Sequence, residues 1–205
     1  QKEQIKLGLE KDIDVSIYAN PEFDSEQMEI ILIGLEQELD VSIYAKPEYN
    51  FKQMYEIGAG LANNIDVLVY AKTEFSWEQM NQIRYGLEDK VDVSIFAKPE
   101  FDWLQMQEIR FGLVKGLDIS IYAKPEFDYD QMWQIRIGLE QYFDVSIYAN
   151  PEFNWTQMRE IRFGLGNGID VSIYAKSIFE ASQMKEIRLA LSNNIEMDLN
   201  SFINN

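Results

Sequence analysis

Residues 101–124 read FDWLQMQEIRFGLVKGLDISIYAK, and the chain is built of little else. Asp102 stands where a helix N-cap belongs, and Gln105, three residues on, completes a capping box in which each side chain serves the other's free backbone amide. Phe101 and Met106 occupy the two positions of a hydrophobic staple. Met106, Ile109 and Leu113 follow at i, i+3 and i+7, one apolar face of a 3.6-residue period. Gly116 suits a left-handed helix end, as do Asn64, Gly168 and Asn194 in related stretches. Then comes DISIYA, whose apolar and polar residues alternate as in a half-buried strand. Prolines close this segment elsewhere (Pro21, Pro47, Pro99, Pro125, Pro151), and proline cannot donate to a ladder. The stretch predicts helix, tight turn, strand.

The unit recurs every 26 residues. DVSIYA or a close variant opens at Asp14, Asp40, Asp66, Asp92, Asp118, Asp144 and Asp170. Gln27, Gln53, Gln79, Gln105, Gln131, Gln157 and Gln183 keep the register, as do Gly8, Gly34, Gly60, Gly86, Gly112, Gly138 and Gly164, with Ala190 closing the row. A degraded eighth copy runs from Glu196 to Phe202. The expectation is a single α/β solenoid domain over 1–205 of about eight strand–helix repeats, with a degenerate capping repeat at about 180–205. Consecutive strands would be parallel and the crossovers right-handed. Strands stack at about 4.8 Å whereas helices need about 8–10 Å. The stack should therefore curve like a leucine-rich-repeat horseshoe, parallel sheet on the concave side and helices on the convex side. A glycine in each helix costs about 1 kcal/mol against alanine, which points to a close approach by a neighbouring helix or the sheet.

Strand alternation assigns the faces. Val41, Ile43 and Ala45 would pack on the helices, and Asp40, Ser42, Tyr44 and Lys46 would face out. The candidate partner surface is then an aromatic column (Tyr18, Tyr44, Tyr70, Phe96, Tyr122, Tyr148, Tyr174), the Asp column (Asp14, Asp40, Asp66, Asp92, Asp118, Asp144, Asp170) and a Glu row at Glu22, Glu48, Glu74 and Glu100, continuing at Glu126 and Glu152. Exposed tyrosines concentrate at binding interfaces, although mutual ring stacking accounts for the column equally well. The aspartates have three readings: hydrogen bonds to the turn, partner recognition, or a divalent ion shared between neighbours. The Glu row can pair with Lys46, Lys72, Lys98, Lys124 and Lys176 as a solvated rim. The outer helices carry the remaining charge, including Arg84, Arg110, Arg136, Arg162 and Arg188, and an aromatic row (Phe51, Trp77, Trp103, Tyr129, Trp155) that suits inter-helix packing.

Composition narrows the function. There are 35 acidic against 18 basic side chains, a formal net charge of −17, with no cysteine and no histidine. Disulfides, zinc fingers and Cys- or His-based catalysis are excluded. At 46 % hydrophobic residues the chain should bury a core rather than stay disordered. Its charge disfavours direct binding to nucleic acid or an anionic membrane and favours a basic protein. Residues 1–102 hold 21 acids and 9 bases, so acidity is concentrated there. No apolar run approaches a membrane span, the first residues lack the apolar core of a secretory signal, and the lack of cysteine fits a cytoplasmic setting. Catalysis needs unlike groups converging in one pocket, whereas this chain offers rows of like groups. No enzyme activity, cofactor or metal is expected.

Written as QMxxIRxGLExxxDVSIYAKPEFDW, the unit resembles short 26-residue tandem repeats of uncharacterised proteins from Gram-positive gut bacteria and their phages and plasmids. The resemblance covers the whole chain. It implies a mobile-element setting, in which small acidic proteins include DNA mimics that block restriction or CRISPR nucleases. The expected function is a non-enzymatic protein-binding scaffold with an acidic surface, in its sharper form an anti-CRISPR or anti-restriction inhibitor of a basic, nucleic-acid-handling protein. The alternative is a structural, self-assembling module of a larger bacterial protein; a third reading is capture of a small ligand by the Tyr face. The sequence leaves the oligomeric state open. Gly58 replaces the Arg of the unit, and Ser177-Ile178 replaces Pro-Glu. Such breaks mark places for specialised contacts.

Overall fold

The DVSIYA segments are not strands. In the computed structural model, which describes residues 1–196, each forms a single 3₁₀ turn, and no strand occurs among the described residues. The α-helices are α1 (Lys2–Glu10), α2 (Ser25–Glu36), α3 (Phe51–Ala62), α4 (Trp77–Glu88), α5 (Trp103–Val114), α6 (Tyr129–Glu140), α7 (Trp155–Gly166) and α8 (Ala181–Ser192). Between them lie the 3₁₀ turns Val15–Ile17, Val41–Ile43, Val67–Val69, Val93–Ile95, Ile119–Ile121, Val145–Ile147 and Val171–Ile173. The 26-residue repeat is present. The α/β solenoid with a parallel sheet, and the leucine-rich-repeat likeness with it, are overturned. The expected degraded copy from Glu196 to Phe202 lies, beyond its first residue, outside the described residues.

The reason is local. Val41 and Tyr44 are 4 % and 0 % exposed, while Ser42 faces solvent and Ile43 is half-buried. The buried positions are three apart, the period of a 3₁₀ helix, not two apart as in a strand. Asp40 starts the turn by accepting from the Ser42 N–H at 3.2 Å and from the Ser42 hydroxyl at 2.5 Å. The Tyr44 and Ala45 amides both donate to the Val41 carbonyl, at 3.0 and 2.7 Å. Donors that a strand would offer to a neighbour are thus used at home.

The helix starts follow the sequence reading. Capping boxes close on Asp24/Gln27, Asn50/Gln53, Ser76/Gln79, Asp128/Gln131 and Asn154/Gln157, and Asp102 and Gln105 exchange the same pair of bonds. The staple pairs, Phe23/Met28 through Phe153/Met158, are buried. Helix ends turn through left-handed residues at Asn64, Gly116, Gly168 and Asn194, as expected, and also at Asp12, Glu38, Lys90 and Tyr142. Tyr142 holds φ +60° with its side chain 97 % exposed. A bulky residue is strained there by about 1–2 kcal/mol and receives no burial in return. Tyr142→Gly should therefore raise stability by about 0.5–1 kcal/mol after the entropy cost of glycine. An unchanged or lowered melting temperature would show that the turn is not strained.

Contacts divide the chain into two compact units, Gln1–Met106 and the part from Gln107 onward. In the first, α1 to α4 pack in sequence order; in the second, α6 to α8 do. Five capping-box glutamines, Gln27, Gln53, Gln79, Gln131 and Gln157, have a second use. The Nε2 of each donates to the carbonyl before the next helix's N-cap, as from Gln27 to Tyr49 at 2.6 Å and from Gln131 to Phe153 at 2.6 Å. Gln1 bonds Phe23 in the same way, extending the register one copy earlier than the sequence analysis placed it. At the other end, Lys11 after α1 pairs with Glu36 closing α2, and Lys115 after α5 pairs with Glu140 closing α6. N-terminal ends lie beside N-terminal ends and C-terminal beside C-terminal. Neighbouring helices within a unit therefore run parallel, and the 3₁₀ segment carries the chain back.

Candidate functional site

The aromatic column is internal. Tyr18, Tyr44, Tyr70, Phe96, Tyr122, Tyr148 and Tyr174 are each 0 % exposed. The concave sheet face on which they were to stand does not exist. Their hydroxyls donate to the carbonyl fourteen residues earlier: Tyr18 to Gln4, Tyr70 to Glu56, Tyr122 to Glu108, Tyr148 to Gln134 and Tyr174 to Glu160, at 3.0–3.2 Å. The glycine column is their seat. A Cβ on Gly138 would lie 1.9 Å from Tyr148 Oη and 2.8 Å from Val145 Cγ1, and Gly8, Gly34, Gly60, Gly112 and Gly164 are as tight against their tyrosines. The close approach expected at these glycines is real, but it is to a phenol, not to a helix or a sheet. Tyr44 differs from the rest: its hydroxyl is buried and has no hydrogen-bond partner. Burial pushes that phenol up to about 12, so it stays a protonated donor.

The acidic rows are displayed. All seven aspartates of the column are exposed, and each caps its 3₁₀ turn by accepting the N–H two residues on. Side-chain and backbone hydrogen bonds from the following serine hold Asp14, Asp92 and Asp170 below the usual carboxylate range. The turn-bonding reading of the Asp column is thus realised, on a 3₁₀ turn. Glu22, Glu48, Glu74 and Glu100 lie exposed in the following loop. Glu22 accepts from the Asn20 side chain and donates its N–H to it. The expected Lys–Glu rim is not formed: among the described residues, no ion pair joins a Lys of that row to the Glu two residues on. No cluster of three or more His, Cys, Asp or Glu is placed to share a metal among the described residues.

Sequence reasoning missed what the arginines do. Arg84, Arg136 and Arg162 are buried between helices rather than solvated on an outer face. Arg84 Nε meets Glu56 at 2.9 Å and its NH1 meets Glu88 at 2.6 Å. Arg136 meets Glu108 at 2.6 Å and also pairs with Glu140. Arg188 meets Glu160 at 2.9 Å. Arg162 bonds the amides of Gln134 and Gln141 instead, at 3.0 and 3.2 Å. Each guanidinium also lies over a ring, as Arg84 over Tyr85 at 4.5 Å and Arg162 over Phe163 at 5.0 Å. Each of these four arginines has one partner 28 residues earlier, one repeat plus two, and that spacing is the signal the sequence held. These pairs consume basic charge internally. Buried Arg84, Arg136 and Arg162 are balanced by buried Glu56, Glu108 and Glu160, so the net charge of −17 is carried by the remaining side chains.

No described helix is long and apolar enough to cross a membrane. Compared with known proteins, the chain matches no family model, no curated protein and no solved structure.

Proposed function

We propose that this protein is a non-enzymatic binding scaffold whose exposed carboxylate rows engage a basic protein. One observation carries the reading: the Asp column and the Glu row stand exposed at repeated positions, and none of these side chains forms an ion pair among the described residues. The aspartates are fixed in place as caps of the 3₁₀ turns, and the Glu row lies just beyond them. An ordered array of this kind steers and orients a cationic partner. Glu22, Glu48, Glu74 and Glu100 all belong to the more acidic half, residues 1–102. Taken with the likeness to repeats of mobile elements, the partner is a nucleic-acid-handling protein of the cytoplasm, and the action is competition for its DNA or RNA site. The rigid internal aromatic column serves this role by fixing the spacing of the rows.

The test is capture from bacterial lysate at low and high salt, with the wild type beside Glu48→Gln/Glu74→Gln/Glu100→Gln. These three side chains make no hydrogen bond or ion pair among the described residues, so the fold should be unaffected. Basic, nucleic-acid-binding proteins should be retained at low salt, released at high salt and recovered several-fold less by the triple variant. Equal recovery by both proteins, or capture indifferent to salt, rejects the proposal.

A further inference from the structure

The Gly58 break coincides with two others. Where Glu56, Glu108, Gln134 and Glu160 each bond an Arg 28 residues on, this repeat places Ile30 against Gly58. Where Tyr18, Tyr70, Tyr122, Tyr148 and Tyr174 bond the carbonyl fourteen residues back, Tyr44 leaves its hydroxyl without a partner. Between α2 and α3, a cavity of about 250 Å³ opens at this spot. Gly58 forms part of its wall, 3.6 Å from Tyr44 Oη to the position its Cβ would take, so the space left by the missing Arg side chain adjoins the free hydroxyl.

The lining sets the chemistry. Ile30, Leu39 and Tyr55 give apolar surface, and no charged side chain lines the cavity. Its polar residues are Tyr44, whose occluded hydroxyl lies just behind the Gly58 wall, and Gln37. Gln37 stands where Gln141 stands for Arg162, 21 residues before the Arg position, but here no guanidinium arrives. A cation would find no carboxylate to neutralise it, and an anion would find no base. Tyr55, 57 % exposed, leaves the cavity open to solvent. A dry apolar cavity of about 150 Å³ is enough for benzene, so this one has room for one ring and a short substituent.

We propose that the cavity between α2 and α3 is a binding site for a small, neutral, single-ring aromatic molecule carrying one hydrogen-bond acceptor oxygen, which takes the proton of the Tyr44 hydroxyl. The site is independent of the acidic rows, and the proposal does not rest on the partner reading above. A buried donor that lacks an acceptor is costly, and a ligand carbonyl would supply what the backbone supplies in the other repeats.

Acetophenone and ethylbenzene, nearly the same shape with and without the acceptor, are the probes. Titration calorimetry should show acetophenone binding the wild type and losing about tenfold in affinity in Tyr44→Phe, with ethylbenzene little affected. That variant copies Phe96, which the chain already accommodates at 0 % exposure. Gly58→Leu should fill the cavity and abolish binding of both probes, since the added Cβ makes only ordinary contact and leucine is the better helix former. Ile30→Glu/Gly58→Arg, which restores the pair of the other repeats, should do the same. Circular dichroism verifies folding of each. Failure of acetophenone to bind the wild type, equal affinity for Tyr44→Phe, or binding that survives both filled variants overturns the proposal.

Discussion

Gly138→Ala should destabilise the protein by about 3 kcal/mol, although alanine is the stronger helix former. The added methyl would gain about 1 kcal/mol of helix propensity. Against this, it would lie 1.9 Å from Tyr148 Oη, the far end of a rigid ring buried at 0 % exposure. The ring has no empty space to swing into, so overpacking costs about 1–3 kcal/mol. A tilt that relieves the clash breaks the bond from Tyr148 to the Gln134 carbonyl, and leaving those buried groups unpaired costs about 1–3 kcal/mol more. The sharper result comes from the pair. Tyr148→Phe removes the clashing oxygen, yet a ring remains: at the natural Gly86–Phe96 pair, a Cβ would still meet the ring at 2.8 Å. Gly138→Ala/Tyr148→Phe should therefore be more stable than Gly138→Ala alone by about 1 kcal/mol, a coupling readable from a double-mutant cycle of denaturant melts. An additive cycle would mean that the glycine is not the seat of the hydroxyl.

This pairing also shows what the sequence disclosed. The glycine column and the aromatic column lie ten residues apart in every copy, and Ala190, the one departure among the glycines, precedes Asn200 rather than an aromatic. Their covariation was legible without any structure. The secondary structure was not, because V-S-I-Y satisfies two periods at once: residues 41 and 43 match a strand and residues 41 and 44 a 3₁₀ turn. Deciding between them needs the Asp side chain, which as a cap captures the backbone amide of residue i+2 and commits the segment to a turn. β-Branched residues weigh toward strand on average, and here a single cap outweighs them. Parallel strands were expected from the fixed repeat; it is the neighbouring helices within a unit that run parallel instead. Capping boxes, staples and half of the left-handed ends were readable because they are local. The Glu–Arg pairs were not, since they join side chains 28 residues apart that meet only when helices, rather than strands, stack.

Those pairs carry the second large effect. Arg136→Met should cost about 3–5 kcal/mol at neutral pH, the usual consequence of stranding one member of a buried ion pair. Glu108, left behind, is almost wholly buried, and burial already pushes its carboxyl up even with Arg136 beside it. Without the guanidinium it rises further. The folded state of the variant then binds a proton more tightly than the unfolded chain, so the variant loses stability as pH climbs through the raised carboxyl value. Its deficit against wild type should be largest at neutral pH and shrink below about pH 4, where Glu108 is protonated in both states. Glu108→Gln alone should be mild, because Gln134 already holds Arg162 in this manner. Glu108→Gln/Arg136→Met should recover much of the loss, since the pair's own desolvation is then removed with its attraction. Added salt should change none of this appreciably, the groups being screened from solvent ions. A loss that disappears in high salt, or that is the same at pH 4 and pH 7, would place Arg136 among ordinary surface charges.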